Sequence, residues 1–255
     1  MTDLLLTTLA DGVLTIRMNR PAKKNALTGA MYEHFTQALS DAEVNPAVRV
    51  VVIGGVPGAF SAGNDLEDFM AAQTASGPRP AHGLIRALTA ATVPLVAAVD
   101  GVAVGIGTTM LFHCDFVYAT QSAKFSLPFI NLGLCPEAGS SLLLPRLAGY
   151  HHAARLLMLG EPFDAAEAQR LGLVHEICPS DTVDGRALKT ALQLAAKPRQ
   201  ALRATKAMLK RPEEPVAARV DAEIERFSAL LATPAAREIM GAFLAKRVPD
   251  RTLID

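Results

Sequence analysis

Cysteine is scarce in this 255-residue chain, and Cys114, Cys135 and Cys178 form no C-x-x-C pair and leave one over. Neither a disulfide framework nor a zinc framework can be built from them, and they read as small apolar residues of a reducing compartment. A charge excess is also missing, since 25 Lys and Arg balance 25 Asp and Glu. No global field exists for a polyphosphate backbone or an anionic membrane, so no nucleic acid and no membrane is expected as a partner. No uncharged window reaches the roughly 18 residues of a membrane span. The most apolar stretch is interrupted by Asp100, Asp115, Lys124 and Glu137. Met1 to Thr8 lacks a basic segment and breaks its apolar run with polar residues, so it reads as a first strand, and the expected location is cytoplasmic.

Familiar catalytic signatures are absent too. No G-x-S-x-G surrounds Ser61, Ser140 or Ser141, which argues against a serine hydrolase. Gly105-x-Gly107 begins like a dinucleotide fingerprint, but position 110 is Met where the third glycine belongs, and the acid expected about 20 residues on is missing. His113, His151 and His152 have no partners at ligand spacing, so no metal site is expected. The cluster Lys206, Lys210 and Arg211 reads as a solvated helix face.

What is present is a chain half hydrophobic and one-fifth charged, enough for one large domain with an appendage. Val13 to Met18, Val48 to Ile53 and Leu95 to Val99 are β-branched or apolar runs suited to strands covered on both faces. Between the first two, Met31, Phe35, Ala38, Leu39 and Ala42 recur at helical spacing over Thr28 to Glu43, with Asn45-Pro46 as a stop. Thr108 to Phe112 opens a further helix and Asp115 to Ala119 a strand. Asp164-Ala-Ala-Glu167 resembles a capping box for a helix closed by Gly172, before a strand at Leu173 to Ile177. Ala71 to Pro80 reads as a flexible loop. The expected division is an α/β core over 1–197 and a helical region over 198–255. In the latter, Val220, Ile224, Phe227 and Leu231 share a helix face, and Thr233-Pro234 opens a last helix through Arg247 bearing Met240, Phe243 and Leu244 on one side.

Three segments could carry chemistry. Phe60 to Leu66 and Gly105 to Met110 follow predicted strands, and their glycines can expose backbone N–H groups that together would form an oxyanion hole. The alternative is a pair of tight strand-to-helix turns. In the third, Glu137 stands between Leu132, Leu134, Cys135 and Pro136 on one side and Leu142 to Leu144 on the other. Desolvation there would raise its pKa toward the range of a general base; the alternative is a first-turn acid of the helix at Ser140 to Leu147. Lys23 and Lys24 sit in a turn where they could meet an anionic group; the alternative, and the default, is a pair of ordinary surface lysines.

These pieces match a family. Asn19-Arg20-Pro21 with Asn25-Ala26-Leu27, Phe60 to Leu66, Asp100 to Gly107, Cys114-Asp115 and Gly133 to Gly139 occur in the order seen in the crotonase superfamily, the enoyl-CoA hydratase/isomerase family, which nearly the whole chain resembles. The resemblance implies a spiral of ββα units with a C-terminal helical trimerisation region, as a homotrimer or dimer of trimers. It implies an acyl-CoA thioester as substrate, CoA being part of it and no separate cofactor being needed. By position, the amides of Asn64 and Ile106 would hold the thioester oxygen. Ala22, Lys23, Lys24, Ala26, Ala62, Asp65, Leu66, Gly105, Gly107, Thr109 and Phe129 would border the substrate, with Phe243 and Lys246 contributing from an adjacent subunit. Hydratases of the family carry two glutamates where this chain has Thr109 and Phe129, whereas a subset of its Δ3,Δ2-enoyl-CoA isomerases carries its acid at the position of Glu137. The expected activity is therefore isomerisation with Glu137 as proton shuttle. The rivals are a 2-enoyl-CoA hydratase of the same family and a non-catalytic acyl-CoA-binding subunit.

Overall fold

A computed structural model describes residues 4–71, 79–210 and 233–254, together with residues 224, 225, 227 and 229. The chain divides into two compact units, Met1–Leu192 and Gln193–Asp255.

The first unit grows by repetition. Strands β1 (Leu5–Ala10) and β2 (Val13–Met18) form a hairpin through Asp11 and Gly12, both at positive φ (51° and 77°), as a two-residue turn requires. Helix α1 (Gly29–Val44) follows, its N-terminus capped by Thr28 Oγ1, which accepts from Met31 N–H at 3.4 Å. Then come β3 (Val50–Gly54), β4 (Ala59–Ser61), α2 (Leu66–Ala71), α3 (Pro80–Ala90), β5 (Leu95–Val99), β6 (Val102–Val104), α4 (Ile106–Thr109), β7 (Phe116–Thr120) and β8 (Lys124–Ser126). After these lie α5 (Ser140–Ala148), α6 (Tyr150–Ala154), β9 (Phe163–Asp164), α7 (Ala165–Arg170), β10 (Glu176–Cys178) and α8 (Val183–Ala195), inside which the first unit ends.

Three times a strand of one sheet is followed by a short strand of the other and then by helix. The long strands assemble in the order β1-β2-β3-β5-β7-β10 and the short ones in the order β4-β6-β8-β9. Only β1 and β9 run antiparallel to a neighbour among these pairings. Each repeat thus adds one strand to each sheet, which is a spiral of ββα units. Every residue of β3 and of β5 is buried, which is why these strands read as continuous apolar runs and not as alternating ones.

Asp100 fastens successive corners of the spiral. Its carboxylate accepts from Gly58 N–H at 2.8 Å and from Thr120 Oγ1 at 2.9 Å, so the β5–β6 corner is tied to those before and after it. Asn25 does the same for the entry loop. Fully buried, it accepts from Arg20 N–H at 2.7 Å and donates through Nδ2 to the carbonyls of Ala59 (2.8 Å) and Phe60 (3.1 Å).

Some elements depart from expectation for local reasons. The last strand begins at Glu176 and not at Leu173, because Leu173 and Val174 N–H both donate to Ala168 O and are spent in closing α7. The capping box at Asp164 is half formed: Asp164 Oδ1 accepts from Glu167 N–H at 2.9 Å, while the Glu167 carboxylate pairs with Arg155 and Arg170. The stretch from Ala71 to Pro80, expected as loop, ends in helix on both sides, and residues 72–78 lie outside the described residues.

In the second unit, α9 (Arg199–Leu209) is followed by a last helix, Pro234–Leu244, whose Ala236 N–H donates to Thr233 Oγ1 at 3.2 Å. That helix stops short of Arg247. Lys246 turns left-handed (φ 52°) and Arg247 N–H closes back on Ala242 O at 3.0 Å, a Schellman ending. Ile224 and Phe227 are helical and exposed, while Val220 and Leu231 lie outside the described residues. Among the described residues, no helix is long and apolar enough to cross a membrane.

Asn25→Ala would take an acceptor from Arg20 N–H and a donor from the carbonyls of Ala59 and Phe60. It is expected to cost about 3 kcal/mol of stability, read by chemical denaturation.

Candidate active site

The ends of β4 and β6 meet the start of α4 at backbone contact distance. A Cβ on Gly63 would lie 2.7 Å from Val104 O, and one on Gly107 would lie 2.7 Å from Ser61 O. Only glycine permits this approach, and Gly63 in addition adopts φ +88°. The two glycine segments therefore do more than turn the chain: they bring two backbones together.

Each segment turns one N–H outward, and the reason lies in the carbonyl on the far side of the same peptide. Leu27 N–H donates to Gly63 O at 2.7 Å, and Asp65 N–H donates to Leu27 O at 2.9 Å. In a planar trans peptide the N–H opposes the C=O, so fixing Gly63 O aims Asn64 N–H away from Leu27. At the other segment, Gly105 O accepts from Thr108 N–H (2.9 Å) and Thr109 N–H (2.8 Å), which aims Ile106 N–H away from the body of α4. Among the described residues neither Asn64 N–H nor Ile106 N–H meets an acceptor. Hydrogen bonding at each carbonyl also polarises the opposed N–H. Two aimed donors at a helix start can stabilise an oxygen that gains negative charge.

Beside them opens a cavity of about 440 Å³. Ala62, Asn64, Leu66, Gly105 and Phe129, all expected near a ligand, line it, as does Glu137. Glu137 is the one carboxylate among the described residues that line it. It is partly buried, and burial raises its pKa above the ordinary glutamate value, opposed by a hydrogen bond from Thr109 Oγ1 at 2.5 Å. The capping alternative does not hold, because Gly139 is the N-cap of α5, without a side-chain cap, and Glu137 reaches Thr109 instead. The turn carrying Glu137 is itself constrained: Ala138 sits at φ 52°, a conformation that costs a non-glycine residue about 1–2 kcal/mol. Its carbonyl accepts from buried His113 Nε2 at 2.9 Å, while Glu137 O accepts from Ser140 N–H (3.0 Å) and Oγ (2.6 Å).

Other expected residues lie off the cavity. Ala22, Lys23 and Lys24 are exposed in the turn after β2, with Lys23 Nζ 3.9 Å from Glu67. Ala26 is buried and its carbonyl accepts from Arg20 Nη1 at 2.9 Å. Asp65 faces inward: it pairs with Arg20 at 2.6 Å and accepts from the N–H groups of Glu67 and Asp68, so the Arg20 hydrogen bond, first among its partners, holds its carboxyl below the usual range. Its work is to anchor the start of α2. Lys246 lies in the second unit just past the last helix, and the Phe243 side chain lies outside the described residues.

Sequence reasoning missed Tyr32, which is buried and donates its hydroxyl to Asn64 Oδ1. The available signal was an aromatic residue with a polar tip adjoining the apolar stripe of α1. At the end of the stretch expected as loop and just beyond it, Arg79, Ala81, His82 and Ile85 line the cavity from the start of α3. Among the described residues, no group of three or more His, Cys, Asp or Glu side chains is placed to hold a metal ion.

Residues 8–252 match the family model described as enoyl-CoA hydratase/isomerase. The chain belongs to this family. Members similar to it include the 2,3-dehydroadipyl-CoA hydratase of Escherichia coli (strain K12), 36% identical over 96% of this chain and 97% of that one. The enoyl-CoA delta isomerase 2 of Rattus norvegicus is 36% identical over 82% of this chain and 55% of that one. A solved structure from Magnetospirillum magneticum AMB-1, an enoyl-CoA hydratase/carnithine racemase by name, superposes with a TM-score of 0.94 at 46% identity, covering 98% of this chain and 99% of its own. The spiral is thus the crotonase fold, and the protein is an enzyme of the enoyl-CoA hydratase/isomerase family.

In this family member, Gly107→Ala would drive a methyl group into the Ser61 carbonyl. Forcing the segments apart is expected to cost about 1–3 kcal/mol and to lower Tm by roughly 5 °C, measured by circular dichroism melting.

Proposed function

We propose that this enzyme moves a double bond from Δ3 to Δ2 of an acyl-CoA thioester. The observation that carries the reading is that Glu137 is the one carboxylate among the described residues lining the cavity; the family resemblance adds that Thr109 and Phe129 stand where hydratases carry their two glutamates. Hydration asks for water to be activated at one carbon and a proton delivered at another. Isomerisation needs one base that gives back what it takes.

The thioester oxygen accepts from Asn64 and Ile106 N–H. Glu137 removes a proton from C2 of the 3-enoyl group, and the C–H electron pair enters the conjugated system as a dienolate whose negative charge rests on that oxygen. The protonated Glu137 then delivers the proton to C4, the former C3–C4 π bond becomes C2–C3, and the carbonyl is restored. Each aimed donor is worth roughly 10²–10³ in rate by analogy with other oxyanion holes. Partial desolvation lets Glu137 accept a carbon-bound proton more readily than an exposed carboxylate would. The Thr109 hydroxyl fixes its orientation without supplying a second acid.

The names of relatives leave a hydratase as the second reading. Incubation with a 3-enoyl-CoA and, separately, a 2-enoyl-CoA, followed by chromatography with mass detection, decides between them. Conversion of the 3-enoyl to the 2-enoyl thioester at unchanged mass supports the isomerase. A product heavier by one water overturns it.

Glu137→Gln is expected to abolish isomerisation while acyl-CoA binding, measured by calorimetry, stays largely intact. The base must be ionised, so activity should rise with pH through a limb set above the ordinary glutamate value. Thr109→Val removes a hydrogen bond that favours the ionised form, and it should move that limb to higher pH in a kcat/KM profile.

A further inference from the structure

The proton shuttle and the two aimed N–H groups leave the Asn64 carboxamide, a polar group of the cavity wall, without a task. Tyr32, buried on the inner face of α1, donates its hydroxyl to Asn64 Oδ1, which fixes the carboxamide by its oxygen. Nδ2 keeps both hydrogens: it has no partner among the described residues, and it is not among buried atoms left unsatisfied, so it is open to a ligand or to water. Burial first, and then the carboxylates of Glu137 and Asp68, raise the Tyr32 phenol above the ordinary tyrosine value, so the hydroxyl remains a donor across the working range of pH. With its oxygen side held by Tyr32, the asparagine turns its two amide hydrogens toward its remaining surroundings.

Asn64 lines the cavity together with Leu66, Ile85, Val104, Phe129 and Leu132. An amide N–H covered by hydrocarbon in such a wall loses its hydrogen bond to water and gains none, whereas an oxygen acceptor restores it. The main-chain N–H of the same residue is the donor assigned above to the thioester oxygen. A group reached by Nδ2 therefore lies within a few bonds of the thioester.

We propose that the Asn64 carboxamide, held by Tyr32, is a specificity-determining donor that favours acyl-CoA thioesters carrying an oxygen acceptor on the acyl group near the thioester over plain hydrocarbon chains. Asn64 touches the substrate; Tyr32 is a positioning residue that acts through it. The inference rests on the acyl-CoA reading of the cavity and not on the direction of the double-bond shift.

The test is titration calorimetry with butyryl-CoA and 3-hydroxybutyryl-CoA in the Glu137→Gln background, where turnover does not intervene. One hydrogen bond to an otherwise uncovered donor should make the hydroxylated thioester bind about tenfold tighter. Asn64→Ala in that background should bring the ratio of affinities to about one. Tyr32→Phe should lower the ratio several-fold while the melting temperature stays within a few degrees. Equal affinities at the outset, or a preference that survives Asn64→Ala, overturn the proposal. A preference lost in Asn64→Ala but kept in Tyr32→Phe overturns the part given to Tyr32. If neither thioester binds, the acyl-CoA reading itself fails, a result distinct from equal binding of both.

Discussion

Two missing side chains organise this molecule. Gly63 and Gly107 let the ends of two adjacent ββα units touch backbone to backbone, and a methyl group at either would sit inside the contact distance of a carbonyl oxygen. Much of the surrounding polar structure serves that contact. Asn25 and the Arg20–Asp65 pair bind the loop after β2 to the segment 59–65, and Leu27 reads out the position of that segment through Gly63 O. The buried pair is hydrogen bonded on several sides, as a charge removed from water must be.

In the proposed reaction, two electrostatic tasks are separated around this contact. Charge that develops on an oxygen is met by peptide dipoles held in place by the fold, which need no reorganisation. The proposed carrier of the proton is Glu137, on a turn with a left-handed alanine held by His113. The first apparatus belongs to the spiral and the second to a loop leaving it. Thr109, from the end of α4, joins them through one hydrogen bond.

The spiral core was readable because its strands are buried on both faces and its first helix has a clean apolar stripe, so periodicity alone located β2, β5 and α1 within a residue or two. The candidate cavity was readable where backbone chemistry leaves a mark: glycines at strand ends and a carboxylate in apolar company. What escaped was any role decided by which way a side chain faces. Asp65 stands in the same motif as Asn64 but turns inward to Arg20 and the start of α2, and nothing in the order of letters distinguishes the two directions. Tyr32 escaped because its partner is 32 positions away and on another element. Asp100 counted as an interruption of an apolar stretch and as the head of a family motif, whereas its carboxylate fastens corners of the spiral.

The two outward N–H groups have a consequence for descent with modification. They belong to the main chain, so no codon change at Asn64 or Ile106 removes them except one that introduces proline, which lacks the hydrogen. Their aim is set by Leu27, Thr108 and Thr109 through main-chain bonds that are likewise indifferent to side-chain identity. On the proposed reading, substitution threatens this oxygen cradle mainly through Gly63 and Gly107, which bring its two segments together. The side chains to which the proposed reaction and selectivity are assigned, Glu137 on its turn and the carboxamide of Asn64, stand one substitution from change.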